Sequence, residues 1–585
     1  MRRLVLSLPV LLTLLVTCAL AQRGGGRGSS GTTSTTYIGP QAANAASMLS
    51  TAHVEEEKNV EFKSQTVLVQ VPTVVTDKAG NHIHDLKKED FKLEENGKEQ
   101  RITVCEEITA TNERLIQATN PPGTFSNVAL DGEAPRNVVV IALDTVNTPF
   151  LAQATGRKQL IQYLADNFNT VPVMALVLIG NNGVQTISGL TNNPDELEAA
   201  LKKVRGELPM MQGIGSEEQV RAASSAVNTG FGPIHPAGSL EDGIRQFVLQ
   251  GDASYAAYQQ SRAIENTMQA FMGIAWSLSG IPGRKSLIWA TGGFPFLLDS
   301  PSALPGGYLS ALYERAMAAL NNAQISVYPV DVRGLVNSGS AVADASRHGT
   351  GNGARLGVRN ADQGMLQGAK IDTLKDFAAM TGGKAYYNSN DIATGFKRAV
   401  DDARSYYLIG YYLDTHNTKP GWRKLQVKVG RKDVEVRART GFLVTNATMN
   451  PELSQDADIG LALLSPFDST GIPLSVQWRG TAPDGDNKKV GFTLHLPGTG
   501  VTIGASNAYN VDFMAQAVKT DAQPANVGST AKGTFTADAL TKVKSEGIFY
   551  NNAFHLPPGD YQVKFVVRDN LSGRIGSVSA PLTVN

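Results

Sequence analysis

Cysteine, net charge and local catalytic motifs are scarce in this sequence. The 585-residue chain has two cysteines, and its 53 basic side chains are balanced by 53 acidic ones. Because nucleic-acid-binding domains concentrate Lys and Arg on one face, the zero net charge gives no indication of a nucleic-acid partner. The chain also lacks a serine-nucleophile elbow, a phosphate-binding loop and the paired-histidine helix of zinc proteases. The sequence therefore favours neither a nucleic-acid-binding protein nor an enzyme of these classes.

The N-terminus carries the pattern of a secretory signal peptide. Two arginines precede the apolar run 4–20, and Ala19-Leu20-Ala21 forms a small-x-small cleavage site. We therefore assign residues 1–21 to a signal peptide and expect an exported protein, periplasmic or secreted, without a transmembrane segment once the signal is removed. A lipoprotein signal ending at Cys18 is the weaker alternative, because the threonine before it is unusual at that position. Simple cleavage leaves Cys105 as the single cysteine and excludes an intramolecular disulfide.

Two separated groups of short strands are predicted on either side of the middle of the chain. Residues 22–58 are rich in Gly, Ser, Thr and Ala without periodicity, which predicts a flexible leader. Residues 59–110 contain short β-branched runs separated by turn signals such as Asn96-Gly97, and residues 405–445 contain strand runs that no helix follows. Since neither group has enough strands for a stable core, we hypothesise that they pair and form one β module into which the middle of the chain is inserted.

The middle of the chain, residues 136–404, alternates strand patterns with helix patterns. Val138–Asp144 is an almost unbroken aliphatic run, typical of a strand that is buried on both faces. Later aliphatic runs end at Thr291 and Asp331, and helix patterns lie between the runs. The alternation predicts an α/β fold with a doubly wound, mostly parallel, Rossmann-like sheet. Because such sheets place ligand groups at the carboxyl ends of their strands, Asp144 and Asp331 are candidate site residues.

The last part of the chain, residues 446–585, has a different pattern. Asn450-Pro451 is a good helix start, and the residues beyond that helix alternate apolar and polar side chains between Gly, Pro and Asp turns. The stretch from Leu556 to Tyr561 resembles the corner before the penultimate strand of immunoglobulin-like modules. We predict a helix followed by an immunoglobulin-like β-sandwich.

Several motifs resemble those of known proteins in one consistent order. The middle of the chain is similar to a von Willebrand factor type A domain, and the likeness over about residues 60–445 is to the exported VWFA-related proteins of the acidobacterial type. The resemblance implies that residues 136–404 form a type A domain. The motifs that carry it are Val75 to Gly80, Lys88 to Phe91, Asp144 to Phe150, Leu190-Thr191, Arg284 to Gly293, Val327 to Asp331, Thr381 to Gly383 and Arg437 to Phe442.

The resemblance implies a metal-ion-dependent adhesion site. Type A domains bind Mg²⁺ or Mn²⁺ through an Asp-x-Ser-x-Ser loop, a threonine from another loop and the acid of a Thr-Asp-Gly turn, all oxygen ligands suited to hard divalent cations. By this resemblance Asp144 takes the first position of the loop and Thr148 the last. Val146 replaces the middle hydroxyl and Gly292 replaces the acid of the turn. The site expected here is therefore degenerate.

Other side chains at the same sheet edge offer a non-standard cation site. Asp331 ends a strand of the predicted sheet, so its carboxylate is expected at the same edge as Asp144. With Asn147 and Thr148 the two acids define a candidate site for Mg²⁺ or Mn²⁺. In the alternative interpretation, which we favour, Asp144 caps the helix that follows it and Asp331 pairs with Arg333.

These features predict a non-enzymatic, exported protein of the adhesion type. We expect an unidentified protein partner at the carboxyl edge of the central sheet, with Thr291, Gly292, Gly293 and Arg333 at the rim of the binding surface. A second interpretation is a structural or assembly scaffold of the cell envelope whose β modules bind the partner. A secreted hydrolase is the third and least supported. Oligomeric state and the certain presence of any cofactor lie beyond what these residues predict.

Overall fold

The computed structural model describes most of the chain outside its N-terminal region. The described residues are 66–109, 116–117, 120–128, 130–131, 137–167, 172–207, 240–294, 307–335, 371–414, 419, 421–444, 455–520 and 522–585. The predicted signal peptide and leader, residues 1–21 and 22–58, lie outside them.

The described chain is a mixed α/β protein. Its helices are α1 (Phe150–Asp166), α2 (Pro194–Lys203), α3 (Leu240–Leu278), α4 (Gly307–Asn322), α5 (residues 371–381), α6 (Ile392–Asp401), α7 (Gln455–Leu464) and α8 (Ala537–Glu546). Its strands are β1 (Thr66–Asp77), β2 (Phe91–Glu95), β3 (Lys98–Gln100), β4 (Val104–Thr109), β5 (Ile116–Gln117), β6 (Thr124–Ser126), β7 (Leu130–Asp131), β8 (Val138–Asp144), β9 (Val173–Gly180), β10 (Gly183–Thr191), β11 (Lys285–Thr291), β12 (Ile325–Asp331), β13 (Ser405–Asp414), β14 (Gly421–Val429), β15 (Val434–Arg437), β16 (Gly441–Val444), β17 (Ser475–Asp484), β18 (Asn487–Leu496), β19 (Ala508–Val518), β20 (Ala525–Thr534), β21 (Ile548–Leu556), β22 (Gly559–Asp569) and β23 (Ile575–Val584).

Five strands form the central sheet, in the order β10-β9-β8-β11-β12. The pairs β9–β8, β8–β11 and β11–β12 are parallel, and β10 joins β9 as an antiparallel edge strand. Every residue of β8, β11 and β12 is buried. Continuous apolar runs suit this position, because a parallel strand in the middle of a sheet has both faces covered.

Alternate residues of these strands pack against two different groups of helices. Val140 and Trp289 belong to a core that also contains buried residues of α3, α4 and α5. Ile141 and Ile288 point the other way, into a core shared with α1, α2 and α6. The mixed α/β content expected from the sequence is confirmed. In the described part of the chain no helix, including the 39-residue α3, has a stretch long and apolar enough to cross a membrane.

The two separated strand groups pair with each other, as hypothesised. The first part of β1 pairs antiparallel with β13, and its last four residues pair with β15. Strand β13 also pairs with β4, and β14 pairs with β2 and β16. The resulting sheets, β15-β1-β13-β4 and β16-β14-β2-β3, share a core that includes Val71, Leu93 and Ile409. The β module is therefore built from two segments, one before and one after the central unit in the sequence.

Buried arginines join the β module to the central unit. Arg437 of β15 forms an ion pair with Asp402, just after α6. Arg439, just after β15, donates from Nη1 to the side-chain oxygen of Asn321 in α4 at 3.3 Å. Charged side chains are rarely buried without such partners, so these contacts favour one arrangement of the two units.

The C-terminal residues form two four-stranded antiparallel sheets, β21-β18-β17-β6 and β20-β19-β22-β23. Phe492 and Phe565 meet in the core between the sheets, with ring centroids 4.9 Å apart. The Tyr561 hydroxyl donates to the carbonyl of Pro557, four residues earlier, at 2.8 Å, a contact typical of the corner in immunoglobulin-like modules. Strand β6 was not predicted: it comes from the connector before the central unit and pairs with β17.

Candidate binding site at the carboxyl edge of the central sheet

Strand β8 places Asp144 at the carboxyl edge of the central sheet, where the side chain is 2% exposed. In the parallel pairing Ala142 lies opposite Trp289. Because side chains alternate between faces with a period of two, Asp144, Trp289 and Thr291 share one face. Sheet register thus brings a carboxylate next to two side chains that can donate hydrogen bonds.

Four donors surround the Asp144 carboxylate. The backbone N–H of Asn147 donates to Oδ1 at 3.0 Å. Nδ2 of Asn147 donates to Oδ2 at 2.8 Å, Nε1 of Trp289 at 2.9 Å and the hydroxyl of Thr291 at 2.8 Å. A carboxylate has about four lone-pair positions in total. Three of the four hydrogen bonds go to Oδ2 and one goes to Oδ1, so the protein itself uses most of the acceptor capacity of Asp144.

The environment of Asp144 has two opposing effects on its pKa. Burial raises the pKa of Asp144 above its ordinary value, because the charged form loses its hydration. The hydrogen bonds from Asn147, Thr291 and Trp289 stabilise the charged form and offset part of this rise. The net result is a raised pKa for Asp144.

Hydrogen bonds also hold the loop after β8 in place. Nδ2 of Asn147 donates to the hydroxyl of Thr267 in α3 at 3.0 Å. The Thr148 hydroxyl, which is buried, accepts from the backbone N–H of Gly292 at 2.8 Å. The loop is therefore tied to α3 on one side and to the turn after β11 on the other.

Close packing explains why residue 292 is glycine. A Cβ atom at Gly292 would lie 2.7 Å from Cδ of Pro149 and 3.0 Å from the carbonyl oxygen of Asn147. Both distances are shorter than ordinary van der Waals contacts, so an acid at this position would force the loop after β8 to move. The loop thus occupies the space that the side chain of a Thr-Asp-Gly turn would need.

Asp331 does not join Asp144 in a shared site. Nε and Nη2 of Arg333 donate to its two carboxylate oxygens at 2.9 and 2.7 Å. Strand β11 lies between β8 and β12, so the two acids start two strand spacings apart, or roughly 9–10 Å. The alternative interpretation, pairing of Asp331 with Arg333, is confirmed.

The residues Asp144, Asn147, Thr148 and Asp331 are not brought together around one position for a Mg²⁺ or Mn²⁺ ion. Such an ion needs about six oxygen ligands at about 2.0–2.1 Å, but the oxygens of both acids already accept hydrogen bonds from the protein. Within the described ranges, no group of three or more His, Cys, Asp or Glu side chains is placed to hold a metal ion. The predicted non-standard cation site is therefore not assembled.

Two further sequence predictions need correction. Asp144 does not cap helix α1: the N-cap position is Pro149, and Asp144 instead accepts from Asn147 in the preceding turn. The predicted rim, Thr291, Gly292, Gly293 and Arg333, is not an exposed surface. The first three residues are buried, and the Arg333 side chain is 11% exposed because it pairs with Asp331.

Exposed apolar side chains lie instead at the start of α1. Phe150 is 44% exposed and Leu151 is 82% exposed. They follow directly on the loop that Asp144 organises. The start of α1 therefore presents accessible apolar surface next to the candidate site.

The structure adds residues that the sequence analysis missed. Nε2 of Gln153 donates to the carbonyls of Thr148 at 2.9 Å and Glu207 at 2.8 Å. Oε2 of Glu207 accepts from the backbone N–H of Asn181 at 3.0 Å. Trp289 could have been found, because it lies two residues before Thr291 on the same strand face; no local signal marks Gln153 or Glu207.

Comparison of the chain with protein-family models finds no matching family, and comparison with curated proteins finds no similar sequence. The resemblance to type A domains therefore stays a prediction.

Proposed function

We propose that this is a non-enzymatic, exported protein-binding protein whose central unit is a doubly wound domain of the von Willebrand factor type A class, and that it binds its partner without a metal ion. The partner-binding surface lies at the carboxyl edge of the central sheet, around the loop after β8 and the start of α1.

The sheet order supports the proposed class. Four parallel strands with one antiparallel edge strand carry helices against both faces, and Asp144 ends the middle strand. The motif residues Thr148 and Gly292 contact each other across the edge, at 2.8 Å between hydroxyl and backbone nitrogen. These are the positions at which the resemblance places the ligand-binding loops.

The four hydrogen bonds to Asp144 are the observation that carries the metal-independent part of the proposal. In a site built around a cation, the ion would order the loops and leave a position open for the partner. Here Asn147, Trp289 and Thr291 order the loops through direct contacts. A rigid, preformed edge lowers the ordering cost that binding would otherwise incur.

The test is capture of a partner from the native cell envelope by the full chain, with and without EDTA. We expect the same bound protein under both conditions, and no heat on titration with Mg²⁺, Mn²⁺ or Ca²⁺. Capture that EDTA abolishes would overturn metal independence. Turnover in a broad hydrolase screen would overturn the non-enzymatic assignment.

A scaffold function is the second candidate, and one contact favours it. Asp458 of α7 pairs with Arg315 of the central unit through one oxygen and with Arg568 of the C-terminal sandwich through the other. Arg568 is buried, so this contact links the two units firmly. Phe549 is an exposed aromatic on the sandwich. If Phe549→Ala reduces capture while Phe150→Ala does not, the sandwich is the binding module and the scaffold interpretation replaces the first.

A further inference from the structure

A cleft opens beside the loop after β8, between the start of α1 and the chain that follows α2. Its volume is about 70 Å³. A single water needs roughly 10–15 Å³ on this measure, so the cleft has room for a group of about five non-hydrogen atoms. A carboxylate side chain is of this size. The residues that line it and that matter here are Asp144, Phe150, Gln153, Arg157, Arg205 and Val332.

The lining holds two basic side chains, Arg157 and Arg205, and one acid. Arg157 donates from Nη1 to the carbonyl of Val204, and among the described residues its other donors have no acceptor. Arg205 is exposed and, in the same described ranges, has neither a hydrogen bond nor an ion pair. The one acid in the lining is Asp144, whose oxygens are occupied by the four donors described above.

Two other arginines of the central unit have carboxylate partners. Arg333 pairs with Asp331 and Arg262 with Glu265. Glu207 lies near the cleft, but its Oε2 accepts from the backbone N–H of Asn181. A guanidinium presents a planar fork of donors that matches a carboxylate, and a dry or partly enclosed cleft strengthens such a pair.

The surface next to the cleft is apolar. Phe150 lines the cleft and is itself partly exposed, and Leu151 projects almost fully into solvent. Covering an exposed leucine or phenylalanine side chain removes apolar surface from water and so stabilises a complex. An apolar surface beside a cleft with two arginines suits a protein segment in which an acidic residue stands next to an apolar one. A free inorganic anion would leave the apolar surface uncovered.

We propose that Arg157 and Arg205 bind an aspartate or glutamate side chain of the protein partner in this cleft, while Phe150 and Leu151 pack against the residue beside it. This inference rests on the proposed protein-binding function and specifies the chemistry of the partner. The arginines supply the positive charge at the carboxyl edge, so no cation is required to hold the partner's carboxylate.

The experiment titrates the full chain with N-acetyl-Leu-Asp-amide and, as the uncharged match, N-acetyl-Leu-Asn-amide. Saturation-transfer NMR detects weak ligands of a protein this large. We expect transfer to the aspartyl peptide and a dissociation constant at least about tenfold higher for the asparaginyl peptide, because charge-assisted hydrogen bonds are lost. Equal binding of the two peptides, or no binding of the aspartyl peptide, would overturn the inference.

Variants locate the interaction. Arg205→Gln should raise the dissociation constant of the aspartyl peptide by about tenfold. Arg157→Gln should do the same, although it also removes the contact with Val204. The matched control is Lys158→Gln, which removes one exposed charge from the same helix and should change binding less than about twofold. Equal weakening by Lys158→Gln would show a general charge effect and contradict the cleft.

The outcomes separate this inference from the proposed function. If the full chain captures an envelope protein and Arg205→Glu leaves that capture intact, protein binding stands and the cleft inference fails. If the aspartyl peptide binds through Arg205 but no protein is captured, the cleft binds carboxylates and the proposed protein-binding function fails.

Discussion

Asp144 and Asp331 end two strands of the same sheet, both are buried, and the protein stabilises them by different means. A guanidinium lies against Asp331, with two of its nitrogens 2.7 and 2.9 Å from the carboxylate oxygens. Asp144 has four uncharged donors instead. An ion pair cancels the buried charge, whereas neutral donors replace its hydration and leave the charge in place. The two acidic positions on the edge therefore differ in electrostatics, although each is an aspartate that ends a buried strand.

This difference supports the proposal that the edge binds its partner without a metal ion. A cation would need to displace protein donors from Asp144, and it would compete with Arg333 for Asp331. The positive charge at the edge comes from arginine side chains of the protein rather than from a bound cation. We therefore expect that the binding properties of the edge do not depend on the concentration of divalent cations.

The largest effect is expected from Arg333→Met, which leaves the Asp331 carboxylate buried without its charged partner. Breaking one side of a buried ion pair costs about 3–5 kcal/mol. Hydrogen exchange of peptides from β11 and β12, followed by mass spectrometry, measures the loss as a lower free energy of local opening. Adding Asp331→Asn should recover much of the stability.

Arg262→Met is the control for this prediction. Arg262 pairs with Glu265 on a helix surface, and its side chain is 44% exposed. A surface pair of this kind contributes less than about 1 kcal/mol. Similar losses in the two variants would contradict the distinction between a buried and an exposed pair.

A smaller loss is expected from Thr291→Val, which removes one of the four donors to Asp144 at nearly constant volume. A hydrogen bond to a charged group contributes about 1.5–3 kcal/mol. Thr73→Val is the matched control, because the buried Thr73 hydroxyl donates to a neutral acceptor, the carbonyl of Val71. That change should cost about 0.5–1.5 kcal/mol. Hydrogen exchange measures the first loss in β8 and β11 peptides and the second in β1 and β13 peptides.

The pH dependence of stability should carry the signature of Asp144. Burial raises its pKa above the ordinary value of 3.8, so the folded chain binds this proton more tightly than the unfolded chain. The stabilisation is complete below pH 3.8 and is lost as the pH rises through the folded-state pKa. The slope can reach about 1.4 kcal/mol per pH unit for one proton.

Asp144→Asn removes this titration. The difference in opening free energy between wild type and Asp144→Asn, measured for β8 peptides at a series of pH values, should therefore fall as the pH rises above 3.8 and then level off. A difference that grows with rising pH would mean that the four donors outweigh burial and that the pKa is lowered.

Much of the fold could be predicted from the sequence because it depends on local patterns. The aliphatic run of β8 marks a strand covered on both faces, and all seven of its residues are buried. The pairing of β1 with β13 could be hypothesised because neither strand group had a core of its own. The role of β6 could not, since three residues in a connector carry no periodicity that points to β17.

The site was less predictable, because it depends on distances between elements. The sequence showed that Asp144 and Asp331 share an edge, but the position of β11 between them comes from strand order. Burial of Thr291 and Gly292 likewise follows from how the loop after β8 packs against the turn after β11. Residue type alone marks possible ligands; packing decides which of their atoms stay accessible.

The smallest expected effect is that of divalent cations on the edge itself. A ligand present at 100 times its dissociation constant would stabilise the folded state by about 2.7 kcal/mol. We expect Mg²⁺ or Mn²⁺ to leave the hydrogen exchange of β8 and β11 peptides unchanged, because the oxygens of Asp144 already accept four hydrogen bonds. Protection that rises with Mn²⁺ in wild type but not in Asp144→Asn would show that a cation displaces these donors. Asp144 would then be a metal ligand whose position is taken by hydrogen-bond donors when no cation is bound. The contrast with Asp331 would lie in which partner each carboxylate binds under the conditions used.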